Sequence, residues 1–189
     1  MSSAAEDLIV RHRLTVEDYQ RMGEAGILHE DARVELIDGE IMDMSPIGSR
    51  HSGTVNQLSR LFERAIGEHA IVAAQNPFVL GNDSEPQPDI ALLKPRDDFY
   101  KHSHPHARDV LLVVEVAESS LRYDREIKIP LYARHGIPEV WLVDLENNQL
   151  RVFSDPSEGA YRNLVTPTSL KSITPARLPK VSLDLSGLF

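Results

Sequence analysis

Two carboxylates stand where a chain normally excludes charge. Asp89 follows Pro86-Gln87-Pro88 and leads into the apolar Ile90-Ala91-Leu92-Leu93. Glu115 is set inside Leu111-Leu112-Val113-Val114-Glu115-Val116. Ionised Asp and Glu are rarely buried without a partner. Two of them at neighbouring strand ends repel unless a cation lies between them. Hard carboxylate oxygens suit Mg²⁺ or Mn²⁺, and a cation held there can acidify a water and stabilise charge on a phosphoryl group. The chemistry this pair suggests is metal-assisted hydrolysis. The competing reading is a pair of acids that bind no metal and only staple the sheet.

Hydrolysis of this kind also needs a cationic group beside the attacking water. With period-two alternation Val113, Glu115 and Ala117 share one strand face, and Ala117 supplies no charge. The nearest cations, Arg122, Arg125 and Lys128, fall on the helical stretch that follows. Lys128 sits among Ile127, Ile129 and Leu131, a poor place for an idle charge, and from there it can reach back to the strand end. Its i,i+4 spacing also allows an ion pair with Asp124. Glu35 is a third carboxylate in apolar company, within Val34-Glu35-Leu36-Ile37, unless that strand is an edge and the acid is solvated. His51 opens a long helix, where its imidazole can meet a phosphate or a water, or cap its own helix. His102, His104 and His106 form a His-x-His-x-His string, but beside Pro105 they read as a solvated loop rather than a metal site.

The elements that must position these groups follow from the local pattern. Thr15-Val16-Glu17-Asp18 resembles a capping box and opens a helix ending near Gly23 or Gly26. Residues 33–42 read as a hairpin across Asp38-Gly39. Val55, Leu58, Leu61, Phe62, Ala65 and Ile66 have helical spacing. Strands are expected over 70–74, 78–80, 89–93 and 110–116, with the longest loop at 94–108. A helix follows from about Ser120 to His135, kinked by Pro130 and stopped by Gly136. Residues 139–144 and 149–153 form a second hairpin across Asn147-Asn148. The Pro-containing tail ends in apolar Leu183, Leu185, Leu188 and Phe189. The sum is an α/β fold, a mixed sheet flanked by helices with additional β-hairpins.

Length and composition bound the rest. The 189 residues suit one domain over 13–189, preceded by a flexible stretch over 1–12. With no cysteine, disulfides, thiolate nucleophiles and Cys-based zinc sites are excluded. No apolar run reaches the roughly 18 residues of a membrane span, and the acidic N-terminus does not read as a secretory signal. A cytoplasmic setting is expected. The net charge of −9 opposes a protein that merely coats nucleic acid. Arg60, Arg64, Arg122 and Arg125 are the best candidates for a DNA-facing surface, though they make no clear basic stripe.

The order of these motifs resembles a known family. Val34-Glu35-Leu36-Ile37-Asp38-Gly39-Glu40, Met44-Ser45-Pro46 with His51, Pro88-Asp89-Ile90-Ala91 and Leu112-Val113-Val114-Glu115-Val116 are similar to the Uma-two family of endonucleases. Asp124 to Lys128 and Tyr132-Ala133-Arg134-His135-Gly136-Ile137-Pro138-Glu139-Val140-Trp141-Leu142-Val143-Asp144 continue the match. The resemblance spans about residues 14 to 189 and implies a PD-(D/E)XK, restriction-endonuclease-like fold. It implies Asp89 and Glu115 as Mg²⁺ (or Mn²⁺) ligands, a contribution from the Val116 carbonyl, and Glu35 as a supporting acid that holds a water or a second ion. Lys128 stands in for the lysine that a Glu-x-Lys motif would place at Ala117. The implied activity is hydrolysis of phosphodiesters in DNA, with a homodimer by analogy to nucleases that pair to cut two strands. The displaced lysine and acidic charge favour the rival reading, a nuclease-fold binding or regulatory protein without catalysis.

Overall fold

The computed structural model describes residues 10–29 and 31–189. The flexible stretch expected over 1–12 therefore lies, for residues 1–9, outside the described residues. Thr15 caps helix α1 (Val16–Glu24) as expected: its hydroxyl accepts from the Asp18 amide, and the Asp18 carboxylate accepts from the Thr15 amide. Strands β1 (Val34–Ile37) and β2 (Glu40–Asp43) pair antiparallel across Asp38-Gly39. Both turn residues have positive φ, 48° and 76°, the geometry a two-residue hairpin requires. A Cβ at Gly39 would also stand 2.8 Å from that of Arg13, so glycine is required twice over.

Helix α2 (Ser49–Ile66) packs Val55, Leu58, Phe62 and Ile66 onto a six-stranded sheet of order β3-β4-β5-β6-β7-β8. Its strands are β3 (Ile71–Ala74), β4 (Ile90–Leu93), β5 (Val110–Ala117), β6 (Glu139–Asp144), β7 (Gln149–Ser157) and β8 (Ala160–Val165). All neighbours are antiparallel except β5 and β6. This parallel pair at the centre is buried on both faces, which explains its nearly unbroken apolar sequence. One face, with Leu112, Val114, Val116, Trp141 and Val143, packs on α2 and on the apolar tail. The other, with Val113, Ala117, Val140 and Leu142, packs on Ile129, Leu131 and Tyr132.

Those last residues belong to the helical stretch that links β5 to β6. It runs as α3 (Leu121–Tyr123), a π-helical segment (Asp124–Lys128) and α4 (Ile129–Arg134). Pro130 has no N–H and cannot continue an ordinary helical ladder. The chain meets this with a wider turn in which the Ile129 amide bonds to the Asp124 carbonyl, five residues back, a device often found at functional sites. The stretch ends as expected: Gly136 has φ 72°, and the amides of Gly136 and Ile137 bond to the carbonyls of Ala133 and Tyr132, the Schellman closure.

Three local expectations are corrected. Residues 78–80 form no strand; Val79 and Leu80 make isolated bridges to His106 and Ser84, because Phe78 and Leu80 fill the core from a loop. The second hairpin is longer than 149–153. Its first strand runs on through Pro156 to Ser157, where β6 has ended and only β8 remains to pair. The strand β8 that completes it was not expected, since it is a largely exposed edge with no buried apolar face.

The tail is pinned by another buried carboxylate. Glu139 accepts from the Trp141 indole N–H and from the Ala176 amide. Glu139→Ala is expected to lower stability by about 1–3 kcal/mol, chiefly by orphaning the buried indole donor, seen as a lower urea midpoint at unchanged slope. Among the described residues, no helix is long and apolar enough to cross a membrane.

Candidate active site

The β4–β5 pairing brings Asp89 and Glu115 together. Ile90 is opposite Val114, so Asp89, one residue before β4, falls beside Glu115. The Asp89 amide donates to Glu115 Oε2 at 3.4 Å, and Asp89 Oδ2 accepts the Val116 amide at 2.8 Å. Val116 lies past the last β4 partner, so β4 makes no ladder bond to it. Here the chain of β4 diverges and leaves two carboxylates lining a cleft of about 290 Å³.

Three other elements close on this point. Lys128, 3 % exposed, leaves the π-helical segment and places Nζ 2.9 Å from Glu115 Oε1 and 3.3 Å from Glu35 Oε2. An ion pair with Asp124 is not what it forms. Glu35 is buried at 2 % rather than solvated at an edge: its Oε1 accepts from Tyr123 OH and its Oε2 from the Gln87 amide. His51, in the first turn of α2, holds Asp89 Oδ1 at 2.8 Å through Nε2. Tyr132 donates to Glu115 Oε1 at 2.5 Å. Asp124, also buried, accepts from Ser120 Oγ at 2.6 Å.

The cleft therefore gathers Glu35, Asp89, Glu115 and Asp124 around Lys128 and His51, with Arg33, Asp43 and Glu118 also in its lining. Burial, against the opposing pull of Lys128 and with help from Asp124 and Asp89, pushes the Glu115 carboxyl up to about 8. Burial likewise pushes Asp124 to about 6, with Lys128 and Ser120 acting the other way. Lys128 is desolvated, yet Glu115, Tyr132, Glu35 and Asp124 together hold its pKa well above the ordinary value, so it is an ammonium. The hydrogen bond to Asp89 raises His51, against the effect of burial. The site is short of positive charge, and a cation bound here would favour ionised carboxylates.

Its donors fit a hard, partly hydrated cation. Among the described residues no group of three or more His, Asp or Glu side chains could hold a metal, so there is no all-protein cage. Mg²⁺ does not ask for one: it commonly takes one or two carboxylates and keeps several waters. Asp89, whose Oδ1 also meets His51 at 2.8 Å, and Glu115 through Oε2 are the two carboxylates that could serve, with the Val116 carbonyl close in the chain.

The site also draws in residues that the sequence reading passed over. Asp124 and Tyr132 stand four positions before and after Lys128 on one helical stretch, a polar stripe that spacing alone could have flagged. Tyr123, Gln87 and Ser120 carry no such signal; they join through the path of the chain. Other candidates stand apart. Arg122 and Arg125 both pair with Glu126, and His102, His104 and His106 are exposed in their loop.

Comparison with known proteins agrees with this architecture. The profile of the family Uma2, described as "Putative restriction endonuclease", matches residues 16–186. A crystal structure from Anabaena variabilis ATCC 29413, titled as a "putative nuclease belonging to DUF820", superposes with a TM-score of 0.72 at 16 % identity, covering 93 % of this chain and 97 % of that one. No curated protein matches the chain. The restriction-endonuclease-like fold implied by the family resemblance is thereby borne out.

Proposed function

The chain belongs to the Uma2 family, and from that premise we propose that it is a Mg²⁺- or Mn²⁺-dependent endonuclease hydrolysing phosphodiester bonds, with DNA as substrate. The observation that carries this reading is the meeting of Asp89 and Glu115 at the divergence of β4 from β5, with Lys128 reaching Glu115 from the next helical stretch. Asp89 and Glu115, with the Val116 carbonyl, would hold the cation. Bound there, the cation supplies Lewis-acid stabilisation of phosphate charge and an acidified water.

The chain's own residues do the rest. Lys128 has three N–H donors and gives two to carboxylates; the third orients the attacking water or a phosphate oxygen. Glu35 fixes the ammonium and holds a water at the cleft wall. His51 keeps Asp89 in place and lines the cleft where a phosphate oxygen or water can meet it. The water oxygen bonds to phosphorus and gives up a proton to solvent in the cleft, one P–O ester bond breaks, and the departing alkoxide takes up a proton from solvent.

The test is cleavage of supercoiled and single-stranded DNA with Mn²⁺ by the wild type, Glu115→Ala and Lys128→Ala. Nicking by the wild type alone is the expected result. Equal nicking by all three proteins would defeat the mechanism. Metal binding without any cleavage would favour the rival reading, a nuclease-fold binding protein, which the net charge of −9 and the pairing of Arg122 and Arg125 with Glu126 support.

A further inference from the structure

The two oxygens of Glu115 are not equivalent. Oε1 receives both Lys128 Nζ at 2.9 Å and the Tyr132 hydroxyl at 2.5 Å. Oε2 receives only the 3.4 Å approach of the Asp89 amide. Asp89, by contrast, has both oxygens engaged at 2.8 Å, Oδ2 by the Val116 amide and Oδ1 by His51 Nε2. Only Glu115 thus has one oxygen tied firmly into the protein and one nearly free. Tyr132 is fully buried, and its ring stacks on Phe78 with centroids 5.9 Å apart. The ring is held by packing on the apolar face while its single donor is committed to a carboxylate.

We infer that Tyr132 is a positioning residue that makes Glu115 a one-oxygen ligand and so sets the cleft's preference for a small octahedral cation over Ca²⁺. This rests on the reading of Asp89 and Glu115 as cation ligands. The physical basis is the difference in coordination. Mg²⁺ takes near-ideal octahedral geometry with single carboxylate oxygens and waters, whereas Ca²⁺ takes six to eight oxygens and accepts both oxygens of a carboxylate. With Oε1 engaged by two donors, the bidentate arrangement that favours Ca²⁺ is blocked. Removing the hydroxyl frees an Oε1 lone pair and loosens the carboxylate. Partners of this kind, behind a ligand, commonly change metal affinity by about 10–100-fold.

The experiment is calorimetric titration of the full chain with Mn²⁺ and with Ca²⁺, for the wild type, Tyr132→Phe, Tyr132→Met and Phe78→Leu. Tyr132→Phe is expected to bind Mn²⁺ about tenfold more weakly and to lose much of the Mn²⁺ over Ca²⁺ preference. Near-ultraviolet circular dichroism without metal should stay like that of the wild type. Tyr132→Met, which keeps bulk without a hydroxyl, should show the same loss of preference and serves if the Phe variant folds poorly. Phe78→Leu disturbs the packing but keeps the hydroxyl, and should retain the preference. Unchanged Mn²⁺ and Ca²⁺ affinities in Tyr132→Phe, or an equal loss of preference in Phe78→Leu, would overturn the inference. If the wild type cuts DNA in that event, the nuclease reading survives. Loss of preference in Tyr132→Phe with no cleavage by the wild type would leave the inference standing and remove the nuclease reading. A wild type with no saturable Mn²⁺ binding would remove both.

Discussion

Asp89→Asn is expected to abolish DNA cleavage and metal-dependent stabilisation together while leaving the fold in place. The substitution keeps the side chain's shape and an oxygen able to accept the Val116 amide, the bond Asp89 Oδ2 makes at 2.8 Å. It removes the negative charge and puts an NH₂ group where Oδ1 faces the cleft and His51. A cation that binds only the folded protein stabilises it by about 2.7 kcal/mol when present at 100 times its Kd. For a chain of this size, that amounts to roughly 5–10 °C in Tm. The wild type should show such a shift with Mn²⁺, and Asp89→Asn should show almost none. The measurement is thermal unfolding with and without Mn²⁺, alongside the nicking assay. A full shift retained in the variant would move the cation away from Asp89. A lost shift with retained cleavage would separate the metal from the chemistry.

The two central acids were legible because each breaks an apolar pattern, and burial of a lone charge demands a partner. Their adjacency was not legible. It depends on β4 and β5 being neighbours in a register that sets Ile90 against Val114, and sequence carries no direct record of strand pairing. Lys128 was legible for the same reason as the acids, as a charge on an apolar helix face. Its partners were not. Ordinary helical spacing points it at Asp124, but in the π-helical segment it instead reaches Glu115 and Glu35. Pro130 announced a departure from regular helix without saying which one. Glu35 and Gln87 meet because the hairpin and the loop before β4 pass each other, which is tertiary packing rather than local pattern. Strand β8 stayed hidden because an exposed edge gives no alternation of buried and solvated positions.

The second large effect is on stability. Lys128→Met is expected to destabilise the protein without metal by about 3–5 kcal/mol, because it leaves buried carboxylates without their counter-charge. Lys128 and Glu115 are each 3 % exposed and Glu35 is 2 %, so water cannot replace the lost ammonium. Lys128 is also the principal influence holding the Glu115 carboxyl down against burial. Without it, burial, Asp124 and Asp89 push that group further up, so its charged form costs still more. Chemical denaturation without metal should show this as a lower midpoint. The charge argument makes two further demands that a simple packing defect would not meet. Adding Glu115→Gln to Lys128→Met should recover part of the loss, since the orphaned charge is gone and a polar group of equal size remains. Adding Mn²⁺ to Lys128→Met should also recover stability, because a cation beside Glu115 partly replaces the ammonium, yet cleavage should stay absent for want of the group that orients the water. If neither addition restores stability, Lys128 contributes through packing of its methylene chain rather than through its charge. Cleavage restored by Mn²⁺ alone would show that the two acids and the cation suffice for the chemistry.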